Sequence, residues 1–299
     1  MSLTTKHLGL LLLVAMSAPS ALAQEHSPPL RREATSEFGM TVDFVYGASL
    51  KAGNVNFGPM RSLETDLTYL TPVGHSGRWQ WDMGFAWKRR ELKFRVNPGA
   101  PNALQVISVP IVGSLEMSEL STLAVKVSPG IYSDMYDIGL SDINAPVGIR
   151  FYHEYHPEFL WYLGAQVNIW NEYPVIPDAG FRWRFWYDWV LDFSVMNPRI
   201  EYEFRDDWTA FVGAQWVGEA YNTSDDLALS NGRPGTGDTW LTYRDYRVSA
   251  GLRYSWEEES YVSIAGGYSL HRRLKFDGGN YQLSTGGAPF VRAVLNTSW

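Results

Sequence analysis

The chain has 299 residues, with 25 basic and 32 acidic side chains, no cysteine, and 13 Trp, 17 Tyr and 14 Phe. The acidic balance argues against a non-specific nucleic-acid binder, which needs a basic face. The missing cysteine excludes disulfides, thiolate metal sites and thiol nucleophiles together. No segment after the first 23 residues is a long apolar run, so no spanning helix is expected. A strand that meets lipid with every second residue has a soluble-looking average, so a membrane barrel stays open.

Residues 1–23 read as a cleaved secretory signal: Lys6 in the charged region, an apolar core at 8–16, and the small-residue site Ala21-Leu22-Ala23. The core is too short to cross a bilayer of about 30 Å. Removing the signal takes away Lys6 alone, so 24 of the 25 basic residues remain against 32 acidic ones. Residues 24–37, with Pro28-Pro29 and no periodicity, are expected to form a loose periplasmic leader, and residues 38–299 a single transmembrane β-barrel.

From residue 38 onward the hydrophobic period is two. In 38–50, Met40, Val42, Phe44, Tyr46, Ala48 and Leu50 share one face, and Thr41, Asp43, Gly47 and Ser49 the other. A second strand is expected near 62–71. In 78–94, Trp79, Trp81, Met83, Phe85 and Trp87 form one stripe opposite Gln80, Asp82, Gly84 and Lys88. A soluble sandwich would bury that stripe against a second sheet, whereas a barrel turns it to lipid. The basic run from Lys88 to Arg95 is placed at or beyond the headgroups.

Strands are next expected over 104–116, 120–131, 147–154 and 159–170, with an acidic connection at 132–144. In 159–170, Trp161 and Leu163 face opposite to Tyr162 and Gly164. Short segments at 181–186, 190–196 and 199–204 carry the clearest alternation, broken at Asn197-Pro198, where turn chemistry fits. Strands at 208–219, 243–256, 261–275 and 289–299 complete the reading, with the longest loop at 220–241 and a Gly-rich one at 278–287.

Connections alternate long and short, as in outer-membrane barrels. All segments together make 14 strands. Three between 181 and 204 are shorter than the roughly 9–11 residues a crossing strand uses. About 12 strands is therefore the expected count, with 14 or 10 as alternatives.

The final strand turns Val291, Ala293 and Leu295 outward and ends on Trp299. It resembles the C-terminal signature of bacterial outer-membrane proteins, which implies recognition by the barrel-assembly machinery. The run LDFSVMNPRIEYEFRDDWTAFVGAQ resembles a segment of an uncharacterised family of outer-membrane barrels defined only as a domain of unknown function. That resemblance covers most of the mature chain and implies the fold and a Gram-negative outer-membrane location, without an activity. The partners expected are outer-membrane lipid and lipopolysaccharide.

With Trp79, Trp81, Phe85, Trp161, Leu163 and Trp299 facing lipid, the opposite stripe lines the lumen: Asp43, Asp82, Lys88, Arg150, Glu154, Arg182, Arg184, Asp192, Arg199, Glu201, Glu203, Arg247, Arg253 and Arg292. Charges of both signs there either pair as filler around a narrow pore or line a water-filled path. The expected function is a narrow pore or a structural surface barrel for small polar solutes.

Two alternatives are an outer-membrane hydrolase of phospholipase type and a secreted, soluble β-sandwich binding protein. Ser230-Asn231-Gly232-Arg233 resembles the serine–asparagine–glycine segment of outer-membrane phospholipases. Where those enzymes place the catalytic histidine this chain has Ala228, so the hydroxyl has no base, and no enzyme is expected. His153-Glu154-Tyr155-His156-Pro157-Glu158 is a turn with histidines, not a helical HExxH zinc motif. Asp134, Asp137 and Asp142 fit no calcium loop spacing. No metal or cofactor is expected.

Overall fold

The computed structural model describes residues 35–224, 236–257, 259–277 and 281–299. The signal segment, most of the leader and the Ser230–Arg233 run lie outside the described residues.

The described residues form one antiparallel sheet that closes on itself, with 14 strands and a single turn of 3-10 helix at Leu140–Asp142. We number them β1 (Glu37–Ala52), β2 (Val55–Ser76), β3 (Trp79–Phe94), β4 (Ala103–Ser108 with Ile111–Ser118), β5 (Ser121–Val127 with Gly130–Ser133), β6 (Ile143–Asn144 with Val147–His156) and β7 (Phe159–Val167). The second half comprises β8 (Val175–Trp186), β9 (Trp189–Ser194), β10 (Arg199–Arg205), β11 (Trp208–Thr223), β12 (Thr239–Glu257), β13 (Ser260–Phe276) and β14 (Gln282–Thr285 with Ala288–Ser298). β1 pairs with both β2 and β14, which closes the ring, and no second sheet lies against it. This excludes the sandwich architecture.

All three short segments are true members of the wall. β9 and β10 pair with β8 and β11 through Arg182↔Asp192 and Ile200↔Val212, so all three cross with the wall and the count is 14, the alternative to the expected 12. They are short because their hairpin turns back at Asn197-Pro198 while neighbouring strands run on. The backbone bonds Val195 N to Ala179 O (3.0 Å) and Trp216 N to Met196 O (3.0 Å) hold the turn in place.

Every connection at one end of the ring is two residues long, from Gly77-Arg78 between β2 and β3 to Asp206-Asp207 between β10 and β11. Both ends of the sheet lie at this same end, where Ser36 and Trp299 exchange backbone hydrogen bonds of 2.9 and 3.0 Å. The longer loops all lie at the other end. β4, β5 and β6 are each interrupted at an X-Pro step: Val109-Pro110, Ser128-Pro129 and Ala145-Pro146. Proline has no N–H to give to the ladder. Its carbonyl still accepts, so Gly84 N binds Pro110 O (3.0 Å), Val109 N binds Pro129 O (2.9 Å) and Ser128 N binds Pro146 O (3.0 Å). The three interruptions form one seam across adjacent strands. β14 breaks at Gly286-Gly287, where a Cβ on Gly287 would sit 2.2 Å from the Tyr268 ring.

Beyond that seam, toward the long-loop end, the barrel is no longer one ring of 14. β11 bends inward, and its Asn222 pairs in parallel with Ser133 of β5. Asp134 N donates to Asn222 O (3.2 Å), and Asp134 Oδ2 accepts from Ser224 N and Oγ, both at 3.1 Å. The upper half therefore closes as a smaller ring running β11, β12, β13, β14, β1, β2, β3, β4, β5, leaving β6 to β10 as a separate flank.

The small ring is filled by inward side chains of the strands that form it, including Leu50, Met60, Leu92, Leu104, Tyr132, Tyr221, Leu241, Leu274 and Phe276, all buried. Burying each such aliphatic or aromatic group contributes about 1.5–3 kcal/mol.

Candidate functional site

Below the small ring the full 14-stranded wall encloses a polar lumen. Cross-strand partners share a face, so the register identifies what points inward. The ladder Arg150↔Gly164↔Asp178 is one inward row, and Glu201↔Phe211↔Gly251↔Ala265↔Arg292↔Asp43↔Glu64↔Arg90 is another.

These rows bring the charged candidates into three groups. In the first, Arg247 is 1% exposed and donates to Asp43 (2.7 Å), Glu64 (2.7 Å) and Asp245 (2.6 Å). Arg292 grips both oxygens of Asp43 at 2.6 and 2.7 Å and also reaches Gln215. Arg90 meets Glu64 at 3.2 Å and lies 3.7 Å from the Tyr243 ring centre. Three carboxylates thus face three guanidinium groups, the balance that lets ionic groups sit away from bulk water.

In the second group Glu201 accepts from Arg253 (2.9 Å), Arg199 (3.3 Å) and Arg182 (3.4 Å), while Arg182 also meets Asp192 (3.4 Å). Arg184 and Glu203 form a fork-to-fork pair at 2.6 and 3.0 Å. In the third, Arg150 binds Asp178 and the Tyr152 hydroxyl (3.2 Å). Lys88 faces Asp66 at 3.6 Å, and Asp82 accepts from Gln80 at 3.2 Å. Glu154 lies on the inner face near the short-turn end, apart from these groups.

Between the first two groups lies a cavity of about 170 Å³, bordered by Asp43, Glu64, Asp66, Lys88, Arg199 and Arg292. A second, narrow cleft of about 20 Å³ lies between β11 and strands β5 to β8, lined by Lys126, Ser128, Gly148, Gln166, Asn168 and Ile176. Glu219 borders both.

Glu64, Asp178 and Asp245 complete the ionic groups although they are absent from the sequence-derived set. Glu64 was accessible to the same argument, since Ser62, Glu64, Asp66 and Thr68 alternate with Leu63, Leu67 and Tyr69. Asp178 follows Pro177 in a stretch with no clear period. Glu172 carries no sequence signal at all. It lies in the 168–174 loop and meets Arg244 (2.7 Å), Lys275 (2.9 Å) and Arg273 (3.5 Å). Partial burial alone would raise its pKa, but the Lys275 hydrogen bond and the charges of Arg244, Arg273 and Lys275 outweigh that and lower it. Nearby, Trp170 stacks on Trp240 with centroids 5.0 Å apart.

The outer face is apolar around the whole circumference: Phe44, Phe85, Ile107, Ile149, Leu163, Phe193, Val212, Leu252, Ile264 and Val291 are all exposed. Trp79, Trp81, Phe85, Trp161 and Leu163 lie on this face, and Trp299 is exposed beside Tyr69, with ring centroids 6.3 Å apart. At the short-turn end aromatic contacts run from strand to strand: Trp189–Tyr202 (4.8 Å), Tyr202–Phe204 (6.3 Å), Phe204–Trp208 (6.4 Å) and Trp208–Tyr254 (5.2 Å). Such a girdle marks a membrane–water interface in barrels.

Other sequence candidates have local roles. His153 Nδ1 lies 2.9 Å from Ser121 Oγ on the outer face, and its ring stacks on Phe151 and meets Trp161 at a tilt. Among the described residues His153 has no carboxylate partner, so this pair lacks the third group that orients a catalytic base. His156 Nδ1 accepts from Glu158 N (3.3 Å), and His271 Nδ1 contacts Thr285 O (3.0 Å). Asp142 accepts from Gly139 N (2.9 Å), and Asp134 is committed to the β11 contact. Among the described residues no cluster of three metal-ligating side chains occurs.

The family model "Domain of unknown function (DUF6268)" matches residues 74–282. No curated protein matches the chain. Among solved structures, the chain is similar to a TodX monoaromatic hydrocarbon channel mutant, at 10% identity over 94% of each chain with a TM-score of 0.47. It is also similar to an outer-membrane channel from Pseudomonas putida F1, at 13% identity over 91% of this chain and 100% of that one, TM-score 0.44. The NanC porin aligns at 11% identity over 85% of this chain and 98% of that one, TM-score 0.34.

Proposed function

The chain belongs to the DUF6268 family, and we propose that this member is a narrow outer-membrane channel that passes small polar solutes passively. The observation that carries this reading is the contrast between the two faces of one closed wall. Exposed aliphatic and aromatic side chains surround the outside, and a charge-balanced cavity of about 170 Å³ lies within. A polar interior of that kind has no purpose as lipid contact and admits water.

The balance of charges favours neutral or zwitterionic solutes over strongly charged ones, since every added ion would compete with an existing pair. Dense pairing makes the bore small. The short-turn end with its aromatic girdle belongs on the periplasmic side, and the long loops outside. In that orientation Arg61 and Lys93, cross-strand partners on the outer face, lie above the apolar band and suit the phosphates of lipopolysaccharide. The exposed Trp299 on the closing strand suits recognition by the barrel-assembly machinery.

The hydrolase reading is the weaker one. Ser121 and His153 are in contact, but nothing among the described residues activates the pair.

Liposome swelling with neutral polar solutes of graded size tests the proposal. Entry of the smallest solutes with exclusion of oligosaccharides is expected. Liposomes that swell no faster than protein-free controls with every solute would refute it.

A further inference from the structure

The small ring raises the question of how a solute in the central cavity reaches the outside. The direct way up is blocked by the apolar filling around Leu92, Leu104, Leu241 and Leu274, each 0 or 1% exposed. A polar group entering such packing without a hydrogen-bond partner loses roughly 1–3 kcal/mol, and one channel crossing would need several such groups to do so.

The cleft on the other side of β11 has the opposite character. Ser128, Gln166 and Asn168 present side-chain polar groups to it, with Lys126 and Glu219. Glu219 is 3% exposed and its Oε1 has no hydrogen-bond partner, while the Nδ2 of Asn168, 4% exposed, is likewise unsatisfied. Trp216 Nε1 and Thr242 Oγ1, on the face of the β11–β12 hairpin turned away from the ring core, and Asn171 Oδ1 in the 168–174 loop are also unsatisfied, while Glu219 shares the ring face with its ladder partner Tyr243. Buried polar atoms are nearly always paired with protein or ordered water. Unsatisfied atoms also occur at the base of the ring, on Arg90 and Arg272, but the Leu92, Leu104, Leu241 and Leu274 packing above them offers no polar partner, so the cleft is the side that can hold water.

We infer that the continuation of the central cavity toward the outside runs through this cleft and not through the small ring, with Glu219 at the neck where the two spaces meet. The inference rests on the channel reading for its purpose but not for its geometry. At about 20 Å³ against about 170 Å³ for the central cavity, the cleft is the narrowest part of the route. Glu219 supplies an acceptor there and Asn168 a donor, a pairing suited to small neutral hydrogen-bonding solutes.

Because the native chain has no cysteine, single thiols can be placed without background. Ser128→Cys and Gln166→Cys probe the cleft, and Leu104→Cys and Leu241→Cys probe the ring. Each full-length variant, folded in lipid vesicles, is treated with a small, charged, membrane-impermeant methanethiosulfonate. Labelling of the cleft thiols in the folded state is expected, with ring thiols labelled only after unfolding, and labelled Gln166→Cys should lose solute flux. Labelled ring thiols beside silent cleft thiols would overturn the inference, as would full flux through labelled Gln166→Cys. If the cleft labels but the unmodified protein passes no solute, the wetted cleft stands and the channel reading falls. As a second measure, Glu219→Gln, which breaks no ion pair among the described residues, should shift ion selectivity toward anions; unchanged selectivity would remove Glu219 from the neck.

Discussion

Asn222 of β11 and Ser133 of β5 are parallel ladder partners, although five strands, β6 to β10, lie between them around the wall. Both strands run toward the long-loop end, so only a parallel pairing is open to them. The contact turns a wide polar barrel into one with a dry upper ring and a side cleft. A cysteine pair tests it directly. Ser133→Cys with Asn222→Cys should form a disulfide on mild oxidation, because ladder partners fall within the Cα separation of about 4.4–6.8 Å that the bond requires. A wall that stayed open as 14 strands would hold the two thiols far apart, and no crosslink would form.

The ionic group around Arg247 is the main structural element of the lumen. Arg247→Met keeps much of the side-chain volume but leaves Asp43, Glu64 and Asp245 without their shared partner. Removing one member of a buried ionic set costs about 3–5 kcal/mol. The variant should unfold at markedly lower temperature in detergent, read by the loss of the compact, heat-modifiable band on gels. An unchanged transition would mean the lumen is wet enough there to solvate three acids.

The alternation in β3 sets a test of sidedness. Phe85 is 47% exposed on the outer face and Ala86 is buried on the inner one. A charge on the lipid face of a barrel near mid-membrane costs on the order of 2 kcal/mol. Phe85→Asp should therefore impair insertion into vesicles more than Ala86→Asp. Equal insertion of the two would show that the faces have been assigned wrongly.

How far the chain could be read in advance follows from which faces meet lipid. β1, β3, β7 and the β8–β10 region alternate cleanly because one face touches hydrocarbon and the other the polar lumen, so Asp43, Arg182 and Glu201 could be picked out by spacing alone. The sequence pattern puts the chain from residue 220 in a loop, yet β11 remains a strand to Thr223. Trp216 to Thr223 is buried on both faces, one against the ring core and the other against the flank, so no lipid face imposes a period of two. The inward bend itself has no local signature, being fixed by contacts such as Asp134–Ser224 between residues 90 apart. Glu172 was illegible for the same reason, since its three cationic partners lie on β12 and β13.

The 168–174 loop has a pH dependence of defined sign. The pKa of Glu172 is lowered in the folded protein, so its contribution to docking is complete above the ordinary carboxylate value of 4.5 and is lost as pH falls through the lower folded value. The Trp170–Trp240 stack should therefore persist at pH 5 and weaken only in stronger acid, seen as loss of the coupled tryptophan signal in circular dichroism. Glu172→Gln should weaken it at neutral pH. A stack that loosens between pH 7 and 5 would contradict the assignment.

Single-channel recording of the purified, full-length protein in a planar bilayer tests the central claim most directly. The account predicts reproducible steps of small conductance, set by the narrow cleft beside β11, that shrink when a thiol placed at Gln166 is modified. A bilayer that stays silent across voltages, or steps as large as an unobstructed 14-stranded ring would give, would contradict it.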